Sequence, residues 1–147
     1  MTRRASTRLA ILLALAAASP SATLPALAAG TTYRATLNGA SEVPATQSPG
    51  TGEVTATFDP ATKRLSWTGT YSGLTGPVTA AHFHGPAKAG ENAGVLVPVT
   101  AASSPFSGEA ALDDAKAADL EAGRLYFNIH TAANPKGEIR GQVERGR

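Results

Sequence analysis

From Tyr33 to Glu144 the chain is a succession of short runs in which apolar residues recur at every second position. Tyr33–Leu37, Glu53–Phe58, Val78–His84 and Phe106–Leu112 are each followed directly by asparagine, aspartate or glycine. A period of two sends alternate side chains to opposite faces, which is strand geometry and cannot make a helical stripe. The runs are Tyr33–Leu37, Glu53–Phe58, Leu65–Tyr71, Val78–His84, Val95–Val99, Phe106–Leu112, Arg124–Thr131 and Gly137–Glu144. Asn38-Gly39, Asp59-Pro60-Ala61-Thr62-Lys63 and Asn134-Pro135-Lys136-Gly137 supply turn chemistry between them. One segment breaks the pattern: Asp113–Ala122 is rich in Ala, Leu, Lys and Glu, starts with acids and is followed by Gly123, so it predicts a short helix. The expected fold is therefore all-β, an antiparallel immunoglobulin-like or Greek-key sandwich or barrel of about eight strands, with one short helix near residues 113–122. Phe58, Trp67, Tyr71 and Phe106 are the expected aromatic core.

The first 28 residues read differently. Arg3, Arg4 and Arg8 precede a continuous apolar run, Leu9–Ala18, and a small-residue site, Ala26-Leu27-Ala28. The run is too short for a span of about 20 residues, and Ser19, Pro20 and Ser21 interrupt it. This is the pattern of a secretory signal peptide, which predicts a mature single domain over residues 29–147, exported to the periplasm or beyond. Arg3-Arg4 hints at a twin-arginine signal, although the following residues are not apolar. Removing the three arginines leaves ten basic residues against 11 acidic ones, a net charge of −1 in place of +2. The basic excess belongs to the leader, so nucleic-acid binding has no electrostatic basis. No later segment is long and apolar enough to predict a membrane span.

The chain has no Cys and only three His. A disulfide framework, a thiolate metal site and a Cys nucleophile are thereby excluded. The histidines fall in two motifs, His82-Phe83-His84-Gly85 and Asn128-Ile129-His130-Thr131. On a strand, residues i and i+2 share a face about 6–7 Å apart, so His82 and His84 can converge on one ion. A third imidazole from a neighbouring strand completes a three-His site with an open fourth position, chemistry suited to copper or zinc. Parity leaves one question open. Leu125, Phe127 and Ile129 mark the core face of their strand, which turns Tyr126, Asn128 and His130 outward. In Val78–His84, Phe83 as core turns both histidines outward as well, whereas Val78 and Ala80 share the histidines' face and argue the reverse. If Phe83 sets the face, all three imidazoles and the Glu138/Arg140 pair lie on one outer surface. Glu42 or Glu138 can add an oxygen ligand, and Asn128, Thr131 and Arg140 are candidates for supporting positions. Arg140 is expected to pair with a carboxylate. The alternative is a structural hydrogen-bonding network of the same histidines. No hydrolase, nucleotide-binding or metalloprotease motif is present, so no catalytic residue is assigned.

Four ordered segments carry a resemblance: Asn38–Pro44 (NGASEVP), Val78–Pro86 (VTAAHFHGP), Gly123–Thr131 (GRLYFNIHT) and Gly137–Val143 (GEIRGQV). Together they resemble the CHRD domain, the module named after the repeats of chordin and found singly in exported bacterial proteins. The likeness runs from about Tyr33 to Val143. It implies an all-β, immunoglobulin-like extracellular module; chordin's growth-factor binding does not transfer on fold alone. His-x-His on one strand with a later His on another also resembles the copper site of Cu/Zn superoxide dismutase. The lack of Cys and of further histidines for a zinc site departs from that pattern. The expected function is thus an exported binding module with a copper or zinc ion at His82, His84 and His130. The alternatives are a protein- or matrix-interaction domain with structural histidines and, third, a metal-dependent oxidoreductase.

Overall fold

A computed structural model describes residues 30–146. The leader expected at residues 1–28 lies outside the described residues. The elements are β1 (Thr31–Asn38), β2 (Thr51–Asp59), β3 (Arg64–Ser72), β4 (Val78–His84), β5 (Val95–Val99), β6 (Phe106–Ala111), α1 (Asp114–Glu121), β7 (Tyr126–Thr131), β8 (Ile139–Gln142) and β9 (Glu144–Arg145). All strand pairs are antiparallel, in the order β5-β4-β7-β8-β1-β2-β3-β6, with β9 adding to β1. Neighbours β1, β2 and β3 follow one another in sequence, while β3–β4, β5–β6 and β6–β7 cross from one end of the sheet order to the other. The result is a nearly closed antiparallel barrel, as the alternating pattern predicts. No helix among the described residues is long and apolar enough to cross a membrane.

The turns form for local reasons. Asp59 accepts from the Ala61 amide at 2.9 Å and from the Thr62 hydroxyl at 2.8 Å, and Lys63 closes the β2–β3 turn at φ 56°. Asn38 caps a single 3-10 turn, Gly39–Ser41, by accepting from the Ser41 amide at 2.9 Å. Helix α1 is capped by Asp113, which accepts from the Lys116 amide at 2.8 Å; Asp114 lies in its first turn, and Gly123 follows it at φ 67°. The two acids predicted at the helix start serve as a cap and a first-turn charge.

The core faces match the period-two reading. Tyr33, Ala35 and Leu37 of β1, Val54, Ala56 and Phe58 of β2, and Leu65 and Trp67 of β3 are all buried. Across the barrel, the Trp67 ring meets Phe83 edge-on at 5.2 Å, Phe83 meets Phe127 at 4.9 Å, and Phe106 stacks on Phe127 at 5.8 Å. Tyr71 packs against this cluster without full burial. Phe83 therefore fixes the face of β4: it is fully buried with Ala81, and His82 and His84 point the other way. Ala80 shares the histidines' face and is only partly covered, whereas the register shift between Val78 and Ala80 sets Val78 opposite Thr131 and packs it, half-buried, against the core.

The outer face of β7 and β8 is not open surface. Tyr126, Asn128 and Arg140 are buried although they point away from the apolar core. Two connections cover them, residues 42–48 and 86–94. Asn92 donates from its amide to the Val43 carbonyl at 3.0 Å, tying one to the other.

Candidate metal centre

The register of β4 and β7 sets the site. His82 pairs with Asn128, His84 with Tyr126 and Ala80 with His130, so His130 lies diagonal to His82 on the same face. Ala80 is too small to fill the space opposite His130, which leaves its ring free to lean across. Register shifts interrupt β4 at Val78/Ala80 against β7 and at Phe83/His84 against β5. Such irregularities re-aim side chains locally. The ring centroids of His82 and His130 are 5.0 Å apart, those of His82 and His84 5.2 Å, and those of His84 and His130 6.1 Å. One nitrogen from each ring falls within 4.8 Å of the others. The histidine set read from the sequence is brought together.

The rings are also oriented. His84 Nδ1 lies 3.0 Å from the Ala93 carbonyl, and His130 Nδ1 lies 3.0 Å from the Pro135 carbonyl. A carbonyl only accepts, so each Nδ1 carries the proton and each neutral ring keeps its lone pair on Nε2. His84 Nε2 is buried without a hydrogen-bond partner among the described residues. His82 Nδ1 lies 3.2 Å from His130 Nε2. That separation suits a hydrogen bond; it also matches the edge of about 3.3 Å between two nitrogens on one tetrahedral zinc, given Zn–N bonds of about 2.0–2.1 Å. Burial lowers the pKa of His82, helped by the neighbouring imidazoles of His130 and His84. Burial lowers that of His84 too, against the opposing effect of the Ala93 carbonyl. Both rings are held in the neutral form a metal needs.

Behind His84 lies a stack. The Tyr126 ring is parallel to it at 4.8 Å, and the Arg140 guanidinium lies 3.4 Å from the Tyr126 ring centre. The sequence predicts a carboxylate partner for Arg140, but its hydrogen bonds go elsewhere. It donates to Asn92 Oδ1 at 3.0 Å and to the Glu91 carbonyl at 2.6 Å, because the 86–94 connection folds over it. Tyr126 donates to the Ala93 carbonyl at 3.2 Å, the same carbonyl that orients His84.

The two glutamates part company. Glu138 is fully buried and does not share the imidazoles' surface, a correction to the parity reading. Its carboxylate accepts from the Ser48 hydroxyl at 2.6 Å, from the Thr75 amide at 2.7 Å, from the Thr75 hydroxyl at 2.9 Å and from the Thr131 hydroxyl. Burial alone would raise its pKa, but these donors prevail and lower it to about 2. Thr131 is thus bound to Glu138, beside the site but not in it. Glu42 is buried with Oε1 unpartnered, and burial raises its pKa to about 7 despite the nearby charge of Arg140. Asn128 sits between Glu42 and His84 and acts on both. Its Oδ1 likewise lacks a well-aligned partner.

Sequence reasoning missed the backbone acceptors Ala93 and Pro135. Nothing in an alanine marks its carbonyl as a partner for imidazole, although the Asn134-Pro135-Lys136-Gly137 turn was visible next to His130.

A nearly closed antiparallel barrel with three converging imidazoles on its outer wall defines a small β-domain with a candidate metal centre. The CHRD domain model matches residues 33–143, and the chain belongs to the CHRD domain family. Neither the curated proteins nor the solved structures contain a match to the chain.

Proposed function

We propose that this protein is an exported binding module, periplasmic or extracellular, that holds one copper or zinc ion on His82, His84 and His130. The observation that carries the reading is the convergence of three imidazole nitrogens within 4.8 Å, two of the rings being locked by backbone carbonyls with Nε2 left to bind. Three neutral donors leave a fourth position for water or an outside ligand. Glu138 is saturated by hydroxyl and amide donors and is a poor ligand candidate; Glu42 is linked to His84 through Asn128, which acts on both. Asn128, Tyr126 and Arg140 support the His84 ring. The signal-peptide pattern of residues 1–28 and the family's extracellular setting support export.

A second reading has its own support: the contact of 3.2 Å between His82 and His130 satisfies both rings without a metal, as an interaction domain with structural histidines requires. Metal analysis of untagged protein separates the two. Stoichiometric copper or zinc, lost in His130→Ala, is expected. No binding at micromolar metal, with wild type and variant alike, sinks the metal reading. A redox assay of the loaded protein then tests the oxidoreductase alternative.

A further inference from the structure

Three buried polar atoms at the centre lack partners among the described residues: His84 Nε2, Asn128 Oδ1 and Glu42 Oε1. They belong to one line, carboxyl, amide and imidazole, because the Asn128 side chain lies between the other two groups. Buried polar groups without partners are costly, and three together call for one explanation. Asn128 Nδ2 is on the Glu42 side: a Cβ placed on Gly137 would lie 2.8 Å from Nδ2 and 2.4 Å from Glu42 Oε1. In that orientation Oδ1 is left for His84, whose Nε2 is also an acceptor. Turning the amide by half a rotation resolves all three atoms at once. A protonated Glu42 then donates to Asn128 Oδ1, and Asn128 Nδ2 donates to the His84 Nε2 lone pair.

We infer that Glu42 is a positioning residue of the metal centre: through Asn128 it caps the His84 lone pair when no metal is bound, and it gives up a proton when metal enters. This rests on the three-His reading above. The step balances simply. The bond between the metal and Nε2 replaces the Asn128 Nδ2–H···Nε2 hydrogen bond. The freed amide turns so that Nδ2 donates to Glu42, the carboxyl proton leaves to water, and no electron moves. A buried carboxylate behind the ring then offsets part of the metal's charge.

The surroundings allow it. Burial raises the Glu42 pKa to about 7, so the carboxyl holds its proton most of the time at pH 6. It faces the Arg140 guanidinium from β8, with His84 beyond Asn128. It also lines a cleft of about 420 Å³, with Thr46, Gln47, Asn134 and Lys136 on its walls. That cleft gives the proton a way out, and Lys136 is the other charged group on its walls. Gly137, at φ 131°, brings bare backbone against the carboxyl where any side chain would collide.

The test is calorimetric titration of the full chain with zinc, then with copper(II), at pH 6 in buffers of different ionisation enthalpy. Wild type is expected to release close to one proton more per metal than Glu42→Gln, since the amide that replaces the carboxyl can still donate to Asn128 but has no proton to lose. Equal proton counts with intact binding overturn the inference and leave the metal site standing. No binding by wild type overturns the site and this inference with it. Should the variant not fold, infrared difference spectra of wild type decide: metal addition should replace a protonated-carboxyl band by a carboxylate band, and its absence refutes the relay.

Discussion

Replacing Glu138 by Gln tests how a fully buried carboxylate holds this barrel together. Its partners come from two connections and one strand: Ser48 before β2, Thr75 before β4 and Thr131 at the end of β7. A shift from the ordinary 4.5 to about 2 corresponds to about 3 kcal/mol of stability at neutral pH. The folded-state pKa is depressed, so this stability is fully present above the unfolded value and is lost as pH falls through about 2. The linkage leaves about 1.4 kcal/mol of it at pH 3. Glu138→Gln keeps the size but places an NH₂ against donors; the Thr75 amide cannot turn away as hydroxyls can. Urea unfolding at pH 7 and pH 3 measures the difference between variant and wild type. It should be about 3 kcal/mol at pH 7 and roughly halve at pH 3. A difference below about 0.5 kcal/mol at pH 7, or one independent of pH, would refute the assignment of this stability to the ionised carboxylate.

Two further outcomes follow from the packing. Phe83→Ala empties the contact between Trp67 and Phe127 and should cost about 3–5 kcal/mol in chemical denaturation; a cost under about 1 kcal/mol would mean the two walls of the barrel do not meet there. Gly137→Ala introduces strain at φ 131° and a Cβ 2.4 Å from Glu42 Oε1, so melting temperature and zinc affinity should both fall; an unchanged affinity would show that the Glu42 carboxyl does not support the centre.

Most of the barrel was legible because its strands obey one rule. The expected limits of Val78–His84 and Val95–Val99 coincide with β4 and β5, and Asp113 and Gly123 bracket α1 as their chemistry dictates. The ambiguity in β4 was real: Ala80 is apolar yet lies on the histidines' face, where partial cover suffices, and a register shift that no alternation encodes returns Val78 to the core side. Only the contact of Phe83 with Trp67 and Phe127 decides the matter, and it joins strands distant in sequence. The same limit applies to Arg140 and Glu138. They are two residues apart, and parity puts both on one outer face. Their partners, however, are supplied by connections whose paths no periodic pattern encodes. The histidine set was legible because the chain has only three, whereas the backbone carbonyls that orient two of them leave no mark on residue type.

His82 and His130 stand 48 positions apart, and β5, β6 and α1 all intervene before β7 returns beside β4. An unfolded chain can offer only the adjacent pair, a two-tooth chelate of modest grip. The third tooth arrives when the crossings are complete, which is also when Phe83 and Phe127 meet. On the three-histidine reading, metal uptake and closure of the wall would therefore be one cooperative event. An ion bound in this way would stabilise the native state by the difference between three-tooth and two-tooth binding.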